Sequence, residues 1–152
     1  MKKIIVFISI LFLVSITYGQ SNEELSSNYL SFKPGTLVKA VSGTTTFDYT
    51  LLEKTTIAYD NEVLGIIKPD LKYGDPRFFM IPISTGGTVR VICNNSNGDI
   101  KKGDPITTST IPGEGMKATQ SGMIIGVALE DAPLATGLIE VRVLIQYVVF
   151  PE

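Results

Sequence analysis

Residues 97–118 read "NGDIKKGDPITTSTIPGEGMKA", a stretch dense in glycine, threonine and paired charges. It is either a site that does chemistry or the punctuation of a β fold, and its residues favour punctuation. Asn97-Gly98 is a strong turn dipeptide. Lys101 and Lys102 are solvated. Gly103-Asp104 turns the chain into a strand, and "PITTST" alternates so that Ile106, Thr108 and Thr110 share one face. Pro112-Gly113 fits the centre of a type II turn, whose second central residue needs a positive φ. Met116 begins the return path. Each residue has a structural task that requires no chemistry.

The same grammar runs through the rest of the chain from Pro34 onward. Short runs rich in Val, Ile, Thr and aromatics ("TLVKAV", "EVLGII", "TVRVICN", "MIIGVAL", "LIEVRVLIQYVVF") are bounded by Pro34-Gly35, Gly86-Gly87, Pro112-Gly113 and Thr136-Gly137. That is the signature of an all-β domain. No window carries a convincing helical stripe; "TTTFDYTLLEKTT" (44–56) is the best candidate for a turn of helix.

An internal repeat organises these strands. "PGTLVKA" (34–40) matches "KGDPITT" (102–108), "VLGII" (63–67) matches "IIGVA" (124–128), and "GGTVRVIC" (86–93) matches "GLIEVRVLI" (137–145), in the same order. Gly35 aligns with Gly103, Gly65 with Gly126, and Arg90 with Arg142. A period near 60 residues is too long for a thin solenoid. The expectation is one small barrel or sandwich of two pseudo-repeated halves, about 34–93 and 102–145, each covering edges the other would expose.

The first nineteen residues read as an address rather than as fold. Met1-Lys2-Lys3 is a positive n-region, "IIVFISILFLVSI" (4–16) an uncharged h-region, and Thr17-Tyr18-Gly19 a cleavage site before Gln20. The apolar run is shorter than the roughly 20 residues of a membrane-spanning helix. A cleaved signal peptide and a secreted or cell-surface location are expected, with an uncleaved anchor as the alternative. Residues 20–33 are a polar tail.

Composition narrows the function classes. Removing Lys2 and Lys3 from 13 basic residues leaves 11 against 15 acidic, a mature charge near −4. Nucleic acid is therefore not an expected partner, because a phosphate backbone calls for a basic face. The chain has no histidine, which removes Ser-His-Asp and Cys-His catalysis and the commonest zinc ligand. No catalytic residue, cofactor or metal is expected. In "NSNGD" (95–99) an EF-hand register would put Cys93 at its first ligand position, which defeats the match, although an ad hoc calcium site at Asp99 and Asp104 stays open. Glu130 and Asp131 are adjacent, so on a strand they would face opposite ways. Cys93, the only cysteine, follows Val89 and Val91 at strand spacing and reads as a small buried apolar residue. Phe78-Phe79-Met80 is an apolar cluster, read as core or as an intersubunit contact.

The stretch from Gly87 to Ile145 resembles a β-rich module of tail-fibre-like and surface-fibre proteins of phages and bacteria. In that module a "VRV" strand leads to G-D-x-[LI]-x-T-S-x-x-P-G-x-[AG]-M-[KR]-A, then [IV]-[IL]-G-x-A-L-E. Here Gly103, Asp104, Thr108, Ser109, Pro112, Gly113, Met116 and Gly126 carry the match. The resemblance implies a structural or adhesion-type role without catalysis, and a homo-oligomer in which a trimer is favoured. A secreted carbohydrate- or metal-binding domain is the alternative, with surface glycans or other surface proteins as partners. The residues themselves point to self-assembly at the C-terminal run, where Leu144, Tyr147, Val148 and Phe150 leave both strand faces apolar. Alternation places Val141, Val143 and Ile145 inward, with Arg142 and Leu144 on the other side.

Overall fold

The computed structural model describes residues 32–41, 52–68, 83–132 and 135–151. The signal peptide, nearly all of the polar tail, residues 44–51 of the helix candidate and the Phe78-Phe79-Met80 cluster lie outside them. The chain divides into two compact units, Met1–Phe32 and Lys33–Glu152, and every described strand belongs to the second. The described residues of that unit contain strands and no α-helix.

Among the described residues nine strands form two sheets. β1 (Leu37–Ala40), β2 (Leu52–Lys54), β3 (Val63–Ile67) and β4 (Ile83–Ser84) make a four-stranded sheet in the order β2-β1-β3-β4. β5 (Gly86–Asn94), β6 (Pro105–Thr108), β7 (Gly115–Lys117), β8 (Gly122–Ala128) and β9 (Thr136–Val148) close into a barrel in the order β5-β7-β6-β8-β9. The domain is therefore all-β, a small barrel with a companion sheet. Leu52–Lys54, within the stretch with the best helical pattern, is strand β2.

The β1/β3 and β6/β8 hairpins have the same register. Val38 faces Gly65 and Leu37 faces Ile66; at the aligned positions Ile106 faces Gly126 and Pro105 faces Val127. The entry turns agree as well. Gly35 N–H donates to Ile67 O and Ile67 N–H to Thr36 O, as Gly103 N–H donates to Ala128 O and Ala128 N–H to Asp104 O. The third strands also correspond: Val38 faces Lys54 and Ile106 faces Lys117.

The last aligned pair is out of step. β8 meets β9 with Val127 opposite Arg142, whereas β3 meets β4 with Ile66 opposite Ser84. Ser84 thus occupies the position of Arg142, six residues before Arg90. The cause is the split of one long strand into β4 and β5, which serve different sheets. Arg90 instead pairs with Glu140 on β9.

The core runs along the barrel interior. Val89, Val91 and Cys93 on β5 alternate inward against Ile139, Val141 and Val143 on β9, and Leu37 and Ile66 of the companion sheet join the cluster. Arg142 and Leu144 are exposed while Val141 and Val143 are buried, as period-two alternation demands. The alternation expected in "PITTST" is absent from the burial pattern. Ile106, Thr107, Thr108 and Ser109 are all buried and only Thr110 is exposed. Hydroxyl hydrogen bonds satisfy the second face, which the sequence pattern alone assigns to solvent.

Candidate functional site

The motif residues form a fastening rather than a pocket. Glu114 N–H donates to Ile111 O at 3.1 Å and Gly113 has φ +77°, so Pro112-Gly113 is the centre of the expected type II turn. The turn is bonded into the companion sheet. Gly113 N–H donates to Thr55 O and Gly113 O accepts from Leu37 N–H, both at 2.8 Å. A side chain at Gly113 would strike Thr36 Cγ2, so glycine is required twice over, by conformation and by contact.

The hydroxyls of the motif complete this joint. Thr108 Oγ1 accepts from Asp60 N–H at 2.7 Å and donates to Ile57 O at 2.8 Å. Ser109 Oγ accepts from Asn94 Nδ2 and Ile111 N–H, both at 3.0 Å, and the same Asn94 amide donates to Glu114 Oε2 at 2.9 Å. Asp104 accepts from Lys101 N–H and pairs with Lys117 Nζ, both at 2.8 Å. Burial pushes the Asp104 carboxyl up, but the Lys117 bond, the Lys101 N–H and the Lys117 charge hold it below the ordinary value. Gly103 enters this turn at φ +94°. Met116 is buried, and Gly126 lies against the Arg142 carbonyl. The structure brings Thr108, Ser109, Gly113 and Asn94 together at the sheet–barrel joint, and it places Asp104, Lys101, Lys102 and Asp131 in a separate surface cluster.

Four other features could carry chemistry. Lys39 is nearly buried among Glu62, Asp60 and Glu53, at 3.2, 3.6 and 3.7 Å. Its hydrogen bond to Glu62 and the three negative charges outweigh burial and raise its pKa, so it is a fixed cation rather than a nucleophile. Cys93 is buried, and desolvation, with the Glu114 charge, pushes its thiol up to about 12, which removes thiolate reactivity at neutral pH. Among the described residues no cluster of three His, Cys, Asp or Glu can hold a metal ion. Glu130 accepts from Glu140 N–H and Asp131 from Lys102 N–H, so the adjacent acids serve different partners. A shallow groove of about 340 Å³ runs beside Gly86 and Gly87, lined by Lys68, Ser84, Arg90 and Glu140.

The strongest surface feature is the C-terminal half of β9. Leu144 is 50 %, Tyr147 64 % and Val149 79 % exposed, whereas Val148 and Phe150 are half-buried around an apolar hollow with Pro105 and Pro151. Val149 is the most exposed of these side chains, although the sequence pattern points to Leu144, Tyr147, Val148 and Phe150 instead. Val149 lies one residue past the end of β9. No protein-family model, no curated protein and no solved structure matches the chain.

Proposed function

We propose that this chain is an exported, non-catalytic structural or adhesion-type module that associates with copies of itself through the end of β9. The carrying observation is the uncharged segment from Leu144 to Phe150, apolar except for Gln146, in which Leu144, Tyr147 and Val149 stand out to solvent. Fully burying each such side chain is worth roughly 1.5–3 kcal/mol, so their exposure in a lone chain is costly. Tyr147 and Val149, two residues apart on one side of the chain, begin exposed apolar surface of the kind that marks an interaction site. The fibre-module motif and the signal-like leader support the same reading. Light scattering across a concentration series of the exported chain tests it. A mass above one copy, lost in Val149→Asp, is expected; a single-copy mass at every concentration overturns the reading.

The groove beside Arg90 favours a second reading, a glycan-binding module. Its mixed polar lining suits sugar hydroxyls, and Arg90→Ala would then abolish binding to a glycan panel without altering the mass.

A further inference from the structure

The direction of the backbone along β9 specifies how a second copy is held. β9 pairs with β5 from Thr136 to Leu144 and with β8 from Val141 to Val148, so beyond Leu144 only one edge is paired among the described residues. In an antiparallel strand, alternate residues aim N–H and C=O to opposite edges. Met123 O accepts from Thr107 on β6, so Met123 turns away from β9, and its neighbours Gly122 and Ile124 face Val148 and Gln146. Phe150 N–H donates to Ser121 Oγ on that same side. The even-numbered residues therefore serve β8. Ile145, Tyr147 and Val149 aim their N–H and C=O groups outward, and none of them has a hydrogen-bond partner on that edge among the described residues.

Resting on the self-association reading, we infer that two copies of this chain join by antiparallel pairing of these free edges, about a two-fold axis at Tyr147. The three outward residues are symmetric about Tyr147, so Tyr147 would exchange both hydrogen bonds with its own copy and Ile145 would exchange them with Val149. An isologous contact brings each side chain near its own mate, so a charge close to the axis would meet its like. From Val143 to Pro151 there is no charged side chain. Proteins ordinarily guard a free edge with lysine, proline or a bulge; here no lysine or proline stands between Leu144 and Phe150, and the one register shift of the β8/β9 ladder lies between Val143 and Gln146, at the start of the edge and clear of Tyr147. Pairing through one edge is used up by one partner, so the product is a dimer rather than the trimer that the fibre resemblance implies.

Cysteine placement reads the register directly, because the native Cys93 is buried and silent. In this register the two Tyr147 Cα atoms are about 5.5 Å apart, within disulfide reach. The two Val149 positions are roughly 13 Å apart along the ladder. Under mild oxidation Tyr147→Cys should therefore crosslink at least about tenfold faster than Val149→Cys, although Val149 is the more exposed. In the unmodified chain, amide exchange at Ile145, Tyr147 and Val149 should slow as concentration rises. Equal crosslinking of the two variants with no such protection, or a mass of three copies, overturns the edge pairing and leaves self-association standing. A single-copy mass at every concentration overturns both.

Discussion

Lys39 on β1 and Thr107 on β6 occupy the same place in two hairpins of matching register, yet they settle a buried polar position in different ways. Thr107 is fully buried and donates to the Met123 carbonyl at 2.6 Å. Lys39 carries a charge into the equivalent site and collects three carboxylates, one of them the buried Asp60. A single neutral hydrogen bond needs one neighbour, whereas a charge needs several, and each must be held in place. The β1 position therefore depends on Asp60 and Glu62 of the loop before β3 and on Glu53 of β2, while Thr107 finds its one partner within the barrel.

The aligned glycines offer the largest test of that equivalence. A Cβ at Gly65 would lie 2.5 Å from the Ser84 carbonyl, and one at Gly126 would lie closer still to the Arg142 carbonyl, with Val141 also in the way. Gly126→Ala should cost about 3 kcal/mol and Gly65→Ala about 2 kcal/mol in urea unfolding. A neutral Gly126→Ala would mean that β8 and β9 can separate there, and the shared register would lose its physical basis.

Next in size is Lys39→Met, which strands Asp60 as a buried charge. Its Oδ2 atom has no hydrogen-bond partner and relies on the Lys39 charge. This variant should be clearly less stable than Thr107→Val, which should cost about 1 kcal/mol for one lost hydrogen bond. The reverse order in thermal melts would show that the charged solution is the cheaper one.

Cys93 reports on the barrel in a different way. With the thiol pushed up to about 12 and buried, it should resist a thiol reagent at pH 8 until the protein unfolds. Rapid labelling of the native chain would reveal an opening between β5 and β7.

The smallest effect is at acid pH. Asp104 is held below its ordinary value despite burial; for Asp131 the Lys102 N–H leads, followed by the Lys101 side chain. A carboxylate with a depressed folded-state pKa contributes stability that is present above its unfolded value, near 3.8, and lost as pH falls through the lower folded value. Asp104→Asn should therefore lower stability at neutral pH and flatten the acid limb below pH 4. Unchanged acid melts would show the cluster to be no more than solvated charge.

Much of the fold is legible in the residues alone. Pro34-Gly35, Asn97-Gly98, Gly103 and Pro112-Gly113 mark turns as expected, whereas Gly86-Gly87 and Thr136-Gly137 open strands β5 and β9 and the turns between Ala58 and Glu62 carry neither glycine nor proline; Val89, Val91, Val141 and Val143 declare their face by alternation. Gly35, Gly103, Gly65 and Gly126 are visible as aligned positions because the backbone conformation and close approach that demand glycine leave a compositional mark. Side-chain hydrogen bonds leave none: Thr107, Thr108 and Ser109 look half-exposed because threonine and serine are equally at home in water. The division of labour between β4 and β5 is hidden too, since neither strand's residues say which sheet it joins. Leu144 and Tyr147 stand out by composition, but the free edge beside them requires knowing where β5 begins.

The closing role of β9 has a consequence for how the molecule is made. Its residues 136–144 meet β5, far back in the chain, and its residues 141–148 meet β8. Until that last strand is available the barrel cannot close, and β5 and β8 each present an unsatisfied border. Such distant pairings are intrinsically slow to form. If the chain is exported as proposed, it would finish folding only after its tail has crossed the membrane, and a chain truncated before Thr136 would remain open and prone to aggregate.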